Sequence, residues 1–197
     1  LPDGKVFVNG GTSGGGFNDP CGADGPRTAE LWDPRTETFT PVARAAEIRV
    51  YHSTSVLLPD GRVLTGGGGQ PPGFTNPACA PDQDHATFEI YSPPYLFRGP
   101  RPDLQAAPAS VYYAETFSVT TPDARRIAQV TWVRLSSTTH AINQNQRLNH
   151  LEFTRITNTK LNITAPDDPS RCPPGHYMLF LLDDKGVPSV AKIVSIG

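Results

Sequence analysis

Tyr51 and His52 place a phenol beside an imidazole, inside the segment Arg49-Val-Tyr-His-Ser-Thr-Ser-Val-Leu-Leu-Pro-Asp-Gly-Arg62. A second isolated histidine, His140, comes much later, in Ser137-Thr-Thr-His-Ala-Ile-Asn-Gln-Asn-Gln-Arg147. Together they offer two neutral nitrogen donors and one phenolate oxygen, a set suited to copper far better than to calcium or magnesium. Spacing leaves a plainer reading open. Adjacent side chains on a regular strand point to opposite faces, so Tyr51 and His52 can share an ion only where a strand begins or bends. Otherwise one is buried and the other solvated. His140 sits in a long polar connection between two strand patterns. Such loops often carry function, but a solvated loop histidine is the alternative. The neighbouring Asn and Gln amides could orient its ring.

The remaining candidates carry less. His85 lies among acidic residues in Pro81-Asp-Gln-Asp-His85 and reads as solvated, while His150 and His176 open strand patterns and read as structural. Cys21, Cys79 and Cys172 lack the short spacing of a zinc site. They lie far apart in Pro/Gly-rich segments, which predicts at least one loop disulfide with one cysteine left over. The glycines 66–69 end a strand pattern and do not open a helix, so no phosphate loop is expected. No serine nucleophile elbow occurs. Charged residues are 18% and the net charge is −2, without the basic patch that nucleic-acid binding requires. No apolar run is long enough for a transmembrane helix.

The elements that must position these residues read as all-β. The 197 residues include 18 Gly and 21 Pro, and no segment sustains a helical period. Leu1-Pro-Asp-Gly-Lys-Val-Phe-Val-Asn-Gly-Gly11 returns as Leu58-Pro-Asp-Gly-Arg-Val-Leu-Thr-Gly-Gly-Gly68, and Ala29-Glu-Leu-Trp-Asp-Pro34 returns loosely as Phe88-Glu-Ile-Tyr-Ser-Pro93. Each copy reads as a strand, an Asp-Gly turn, a strand ending in glycines, a loop, and a strand with an aromatic and a proline stop. That is the pattern of a kelch propeller blade. Two blades cannot close a ring, so the remaining blades are expected upstream or on another chain. Beyond Arg98-Gly-Pro-Arg-Pro102 the repeat stops. Short strands are predicted at 116–120, 127–135, 150–156, 160–164, 176–182 and 190–196, the spacing of an immunoglobulin-like sandwich. The expected division is 1–99, the last blades of a kelch β-propeller, and 100–197, an immunoglobulin-like (E-set) β-sandwich.

Read together, Arg-Val-Tyr-His-Ser, Leu-Leu-Pro-Asp-Gly-Arg-Val, the glycine quartet, Tyr91-Ser-Pro-Pro-Tyr-Leu96, Thr138-Thr-His-Ala-Ile-Asn-Gln-Asn-Gln-Arg147, Pro174-Gly-His-Tyr-Met-Leu-Phe180 and Gly186-Val-Pro-Ser-Val-Ala191 resemble the copper radical oxidases, the galactose oxidase and glyoxal oxidase family. The resemblance implies a seven-bladed propeller followed by the sandwich, with a sandwich hairpin reaching into the propeller's channel. By motif, Tyr51 would be the axial tyrosine and proton acceptor, and His52 and His140 the histidine ligands of copper. A second tyrosine, thioether-linked to a cysteine, would store the radical. Neither partner of that Cys-Tyr cofactor matches a motif here, so it is expected upstream. Phe17 would be a substrate contact. The resemblance implies oxidation of a primary alcohol, sugar or aldehyde by O2 to give H2O2, in a secreted protein, with these 197 residues inert by themselves. The competing expectation is a non-catalytic propeller and sandwich module that binds carbohydrate or protein.

Overall fold

The computed structural model describes residues 1–12, 26–69, 85–140 and 142–197. Phe17, Cys21 and Cys79 lie outside them. The first sheet is antiparallel, in the order β1 (Val6–Val8), β2 (Thr28–Asp33), β3 (Thr38–Arg44). The second runs β4 (Ser53–Leu57), β5 (Val63–Gly67), β6 (Phe88–Tyr91). The sequence repeat equates β1 with β5 and β2 with β6. It also equates two turns: Gly4 N–H donates to Leu1 O at 3.1 Å, and Gly61 N–H to Leu58 O at 2.8 Å. Both glycines have positive φ, 84° and 79°, which is why Asp-Gly recurs there. The two sheets are not full copies. The first takes its third strand, β3, from beyond the repeat, and the second takes β4 from before the turn.

A short 3-10 turn at Pro94–Phe97 leads to the sandwich. Its strands are β7 (Ser110–Val111), β8 (Thr116–Thr120), β9 (Ile127–Arg134), β10 (Thr138–Thr139), β11 (Ile142–Asn143), β12 (Leu148–His150), β13 (Phe153–Thr157), β14 (Lys160–Thr164), β15 (Gly175–Asp183) and β16 (Lys192–Ile196). A five-stranded sheet, β12-β9-β15-β16-β7, faces a three-stranded one, β13-β14-β8, and β10-β11 forms a separate hairpin. The strand predicted over 150–156 is in fact two strands, β12 and β13, in different sheets. The chain crosses between layers at Leu151, whose side chain is buried and whose N–H still bonds Val130 O at 2.9 Å. The period-2 pattern survives the crossing, so alternation alone could not show it.

Strand β15 explains how the two parts join. Tyr177, Leu179 and Leu181 point into the sandwich core with Trp132, Phe117, Leu161 and Val194. Met178, Phe180 and Leu182 point the other way and pack with Ala191, Val133, Leu135 and Leu57 of β4. Alternation puts one strand's side chains into two separate apolar layers. Each such side chain, fully buried, contributes about 1.5–3 kcal/mol. A polar tie reinforces the seam, Ala191 N–H donating to Pro59 O at 2.8 Å, while within the sandwich Arg101 Nε and Nη2 donate to Pro188 O and Ser189 O at 2.9 and 2.7 Å. Thr131 Oγ1 donates to Pro2 O at 2.9 Å. β4 is thereby seated on the sandwich, and the residues preceding it are carried to the hairpin.

Candidate metal centre

Tyr51 and His52 form the turn that enters β4, with Ser53 N–H closing on Val50 O at 3.2 Å. His52 is left-handed, φ 62°, a conformation uncommon for a residue other than glycine. That backbone resolves the opposite-faces difficulty. Ahead of the strand, the left-handed residue swings its side chain back, and the two rings stack with centroids 3.8 Å apart and planes at 29°.

His140 follows β10 directly, also with positive φ, 53°, the backbone that tight hairpin turns prefer. The hairpin packs against β4. Its ring lies 4.9 Å from that of His52, nearly edge-on at 67°, and 5.6 Å from that of Tyr51. Three rings from two segments thus converge, with Tyr51 half-buried and both imidazoles open to solvent.

The neck of the hairpin is tied by amides. Asn143 Oδ1 accepts N–H bonds from Ser137 and Asn145, each at 3.1 Å, and Asn145 Nδ2 donates to Leu135 O at 3.4 Å. These side chains hold the loop backbone and leave the imidazole to another group. The ring's partner is Thr139, whose hydroxyl lies 2.7 Å from His140 Nδ1. That contact engages Nδ1 and leaves Nε2 for other contacts, the arrangement by which a hydrogen bond selects the ligating nitrogen of an imidazole. Thr139 went unmarked in the sequence although it adjoins His140. Arg49, two residues before Tyr51, was likewise not a candidate; it is 2% exposed, and nothing beyond its place in Arg-Val-Tyr-His-Ser marks it in the sequence.

The other candidates stand apart. His85 Nδ1 lies 3.7 Å from Glu47 Oε2. His150 lines a cleft against Asp3, Lys5 and Lys185, and His176 is an exposed position of β15. Cys172 is a buried free thiol, so the predicted disulfide does not include it. Burial pushes this thiol up, and the neighbouring Tyr177 hydroxyl donates to Pro173 O at 2.6 Å. No group of three or more His, Cys, Asp or Glu residues comes together among the described residues. The converging set is therefore two imidazoles and a phenol without a carboxylate, donor chemistry that fits a copper-class ion and not calcium or magnesium.

Residues 101–196 match the galactose oxidase-like early set domain. Galactose oxidase of Gibberella zeae is 32% identical over 203 residues, a match that takes in 100% of this chain and 28% of the relative. Aldehyde oxidase GLOX1 of Arabidopsis thaliana is 29% identical over 214 residues, with 100% and 34% covered. A fungal alcohol oxidase of the AA5 family, solved in complex with copper, superposes with a TM-score of 0.86 at 31% identity, covering 100% of this chain and 40% of that one. The chain thus spans well under half the length of these relatives. All-β in its described residues and related over its whole length to these oxidases, the chain belongs to the galactose oxidase and aldehyde oxidase family.

Proposed function

We propose that the intact protein is a secreted copper radical oxidase that converts a primary alcohol, sugar or aldehyde with O2, giving H2O2, and that this chain supplies three of the copper ligands. For an alcohol the balance is RCH2OH + O2 → RCHO + H2O2. The observation that carries the reading is the convergence of Tyr51, His52 and His140 within one cluster of rings. A relative solved with copper supports it.

Bound copper would supply one-electron redox chemistry and polarise the substrate oxygen. His52 and His140 hold it through ring nitrogens, His140 through Nε2 because Thr139 engages Nδ1. Tyr51 Oη is the third donor and takes up the alcohol proton, leaving the substrate oxygen negative for the oxidation that follows. The left-handed turn and the hairpin bring the three rings together, the kind of backbone support that a set of ligands needs.

Residues 1–99 are proposed as kelch blades and 100–197 as the immunoglobulin-like domain. The remaining blades and the cross-linked Tyr-Cys radical site are proposed to come from outside these residues, so the chain by itself is inert. Phe17 is the proposed substrate contact.

The test is Cu(II) titration and H2O2 release in the intact protein and in its His140→Ala and Tyr51→Phe variants. The expected outcome is loss of copper binding in His140→Ala. Tyr51→Phe, which keeps both imidazoles, should retain weakened copper binding without turnover. Unchanged copper affinity and H2O2 release in His140→Ala would remove the reading. Carbohydrate or protein binding without copper would establish the non-catalytic module instead.

A further inference from the structure

We infer that the pair of buried Arg49 and half-buried Glu89 is the positioning device of the proposed copper site, fixing the turn in which Tyr51 and His52 stack without touching the ion. This rests on the ligand assignment above.

Arg49 is 2% exposed, and the two terminal nitrogens of its guanidinium engage three neighbours while Nε has no hydrogen-bond partner among the described residues. Nη1 donates to Gly67 O at 2.8 Å, and Nη2 donates to Thr87 Oγ1 at 2.9 Å and meets Glu89 Oε1 at 3.4 Å. Gly67 pairs with Ser53 in the β4–β5 register, so the first of these bonds grips the strand that faces the ligand turn. Glu89, on β6, does more than balance the charge. Its Oε2 accepts Ala46 N–H at 2.8 Å and its Oε1 accepts Glu47 N–H at 3.3 Å. One carboxylate therefore pins both the backbone leading into the turn and the cation within it.

The backbone of the turn is held at two further points. Gly11 N–H donates to Arg49 O at 3.0 Å, and Gly69 N–H donates to Tyr51 O at 2.8 Å. The first contact depends on a glycine next door: a Cβ at Gly10 would stand 2.7 Å from Arg49 O, so the end of β1 can approach only without a side chain. The result is a segment fixed at Ala46, Glu47, Arg49 and Tyr51, ending on a left-handed histidine. A non-glycine residue in that conformation persists only where its surroundings over-determine it. A buried cation is also sensitive to its partner, because removing one member strands the other's charge.

An ion pair of general structural use would lower stability and leave the ligand geometry alone. A positioning pair would change the ligand field. The experiment compares Arg49→Lys and Glu89→Gln with Arg101→Lys in the intact protein, Arg101 being a part-buried arginine whose guanidinium bonds the sandwich carbonyls Pro188 O and Ser189 O. The readouts are Cu(II) affinity, the EPR hyperfine pattern of bound Cu(II), and hydrogen exchange at Gly11 and Gly69 in the metal-free protein. Expected is a loss of Cu(II) affinity of about 10–100-fold in Arg49→Lys and Glu89→Gln, with an altered hyperfine pattern. Faster exchange of the two glycine amides should accompany it. Arg101→Lys should leave all three unchanged. Should Arg49→Lys fail to fold, Glu89→Gln at its partly exposed position carries the test.

Unaltered affinity, EPR pattern and exchange in the folded variants, alongside lost copper binding in His140→Ala, would overturn the positioning role and leave the ligand assignment standing. Equal changes in Arg101→Lys would overturn it as general loosening. A parent protein whose copper binding ignores His140→Ala would overturn the ligand assignment and this inference with it.

Discussion

The sandwich and the two N-terminal sheets are built from similar strands but solve burial differently. In the sandwich, residues 177–183 of β15 are buried without interruption, and Trp132 sits edge-on to both Phe117 and Tyr177. In the first sheet, β3 is exposed along nearly its whole length, with Phe39 at 56% exposure. In the second sheet Phe88 of β6 is 65% exposed. Much of what the sheets do bury is polar: Arg49, Ser53 and Thr65. The sandwich holds itself together. The sheets lean on it through Leu57 and spend their interior on hydrogen bonds that shape a turn. Hence the region with the stable core contributes His140 on a hairpin, one proposed ligand, and the region with the weaker core contributes the other two proposed ligands, Tyr51 and His52.

The comparison breaks most visibly at Trp132. Trp132→Ala removes the largest fully buried side chain and should cost about 3–5 kcal/mol, read as a lowered urea midpoint. Phe39→Ala, on the open face of β3, should stay within about 0.5 kcal/mol in the same assay. If the two losses were comparable, the sheets would own a core of the same quality. Met178→Ala strips the seam and spares the sandwich interior. It should cost about 2–5 kcal/mol and separate the loss of Cu(II) binding from the loss of the sandwich's near-UV dichroism. Coincident transitions would show that the two regions unfold as one.

The smallest effect is at Cys172. Burial raises its thiol above the ordinary range, so this contribution to stability is complete below the ordinary thiol value and is lost as pH rises through the higher folded-state value. Denaturation midpoints followed from about pH 7 to pH 10 should therefore fall less steeply in Cys172→Ala than in the parent. Equal slopes would show that the thiol is not shielded.

Much of this was legible in the residues. The strands at 116–120 and 160–164 match their predicted bounds, because strict alternation stopped before Thr121-Pro122 in the first and lay between Asn158-Thr159 and Ala165-Pro166 in the second. The layer crossing at Leu151 was not legible, since a buried leucine keeps the alternation going in either sheet. The convergence of Tyr51 with His52 was hidden for a different reason. It depends on a positive φ at His52, and histidine carries no sequence mark of that conformation as glycine does. His140 was marked by its long polar loop, but the amides around it proved to hold the loop backbone, and the neighbouring threonine holds the ring.

The two-faced burial of β15 has a consequence for the newly made chain. Tyr177-Met-Leu-Phe-Leu-Leu182 has no charge, no proline and no glycine, the composition that stacks into intermolecular cross-β when left uncovered. A strand with one polar face could wait in water for its partners. This one must be flanked by β9 and β16 and capped by both apolar layers before any of it is safe, so the element that seats the Tyr51–His52 turn is also the one that most needs rapid folding or a chaperone.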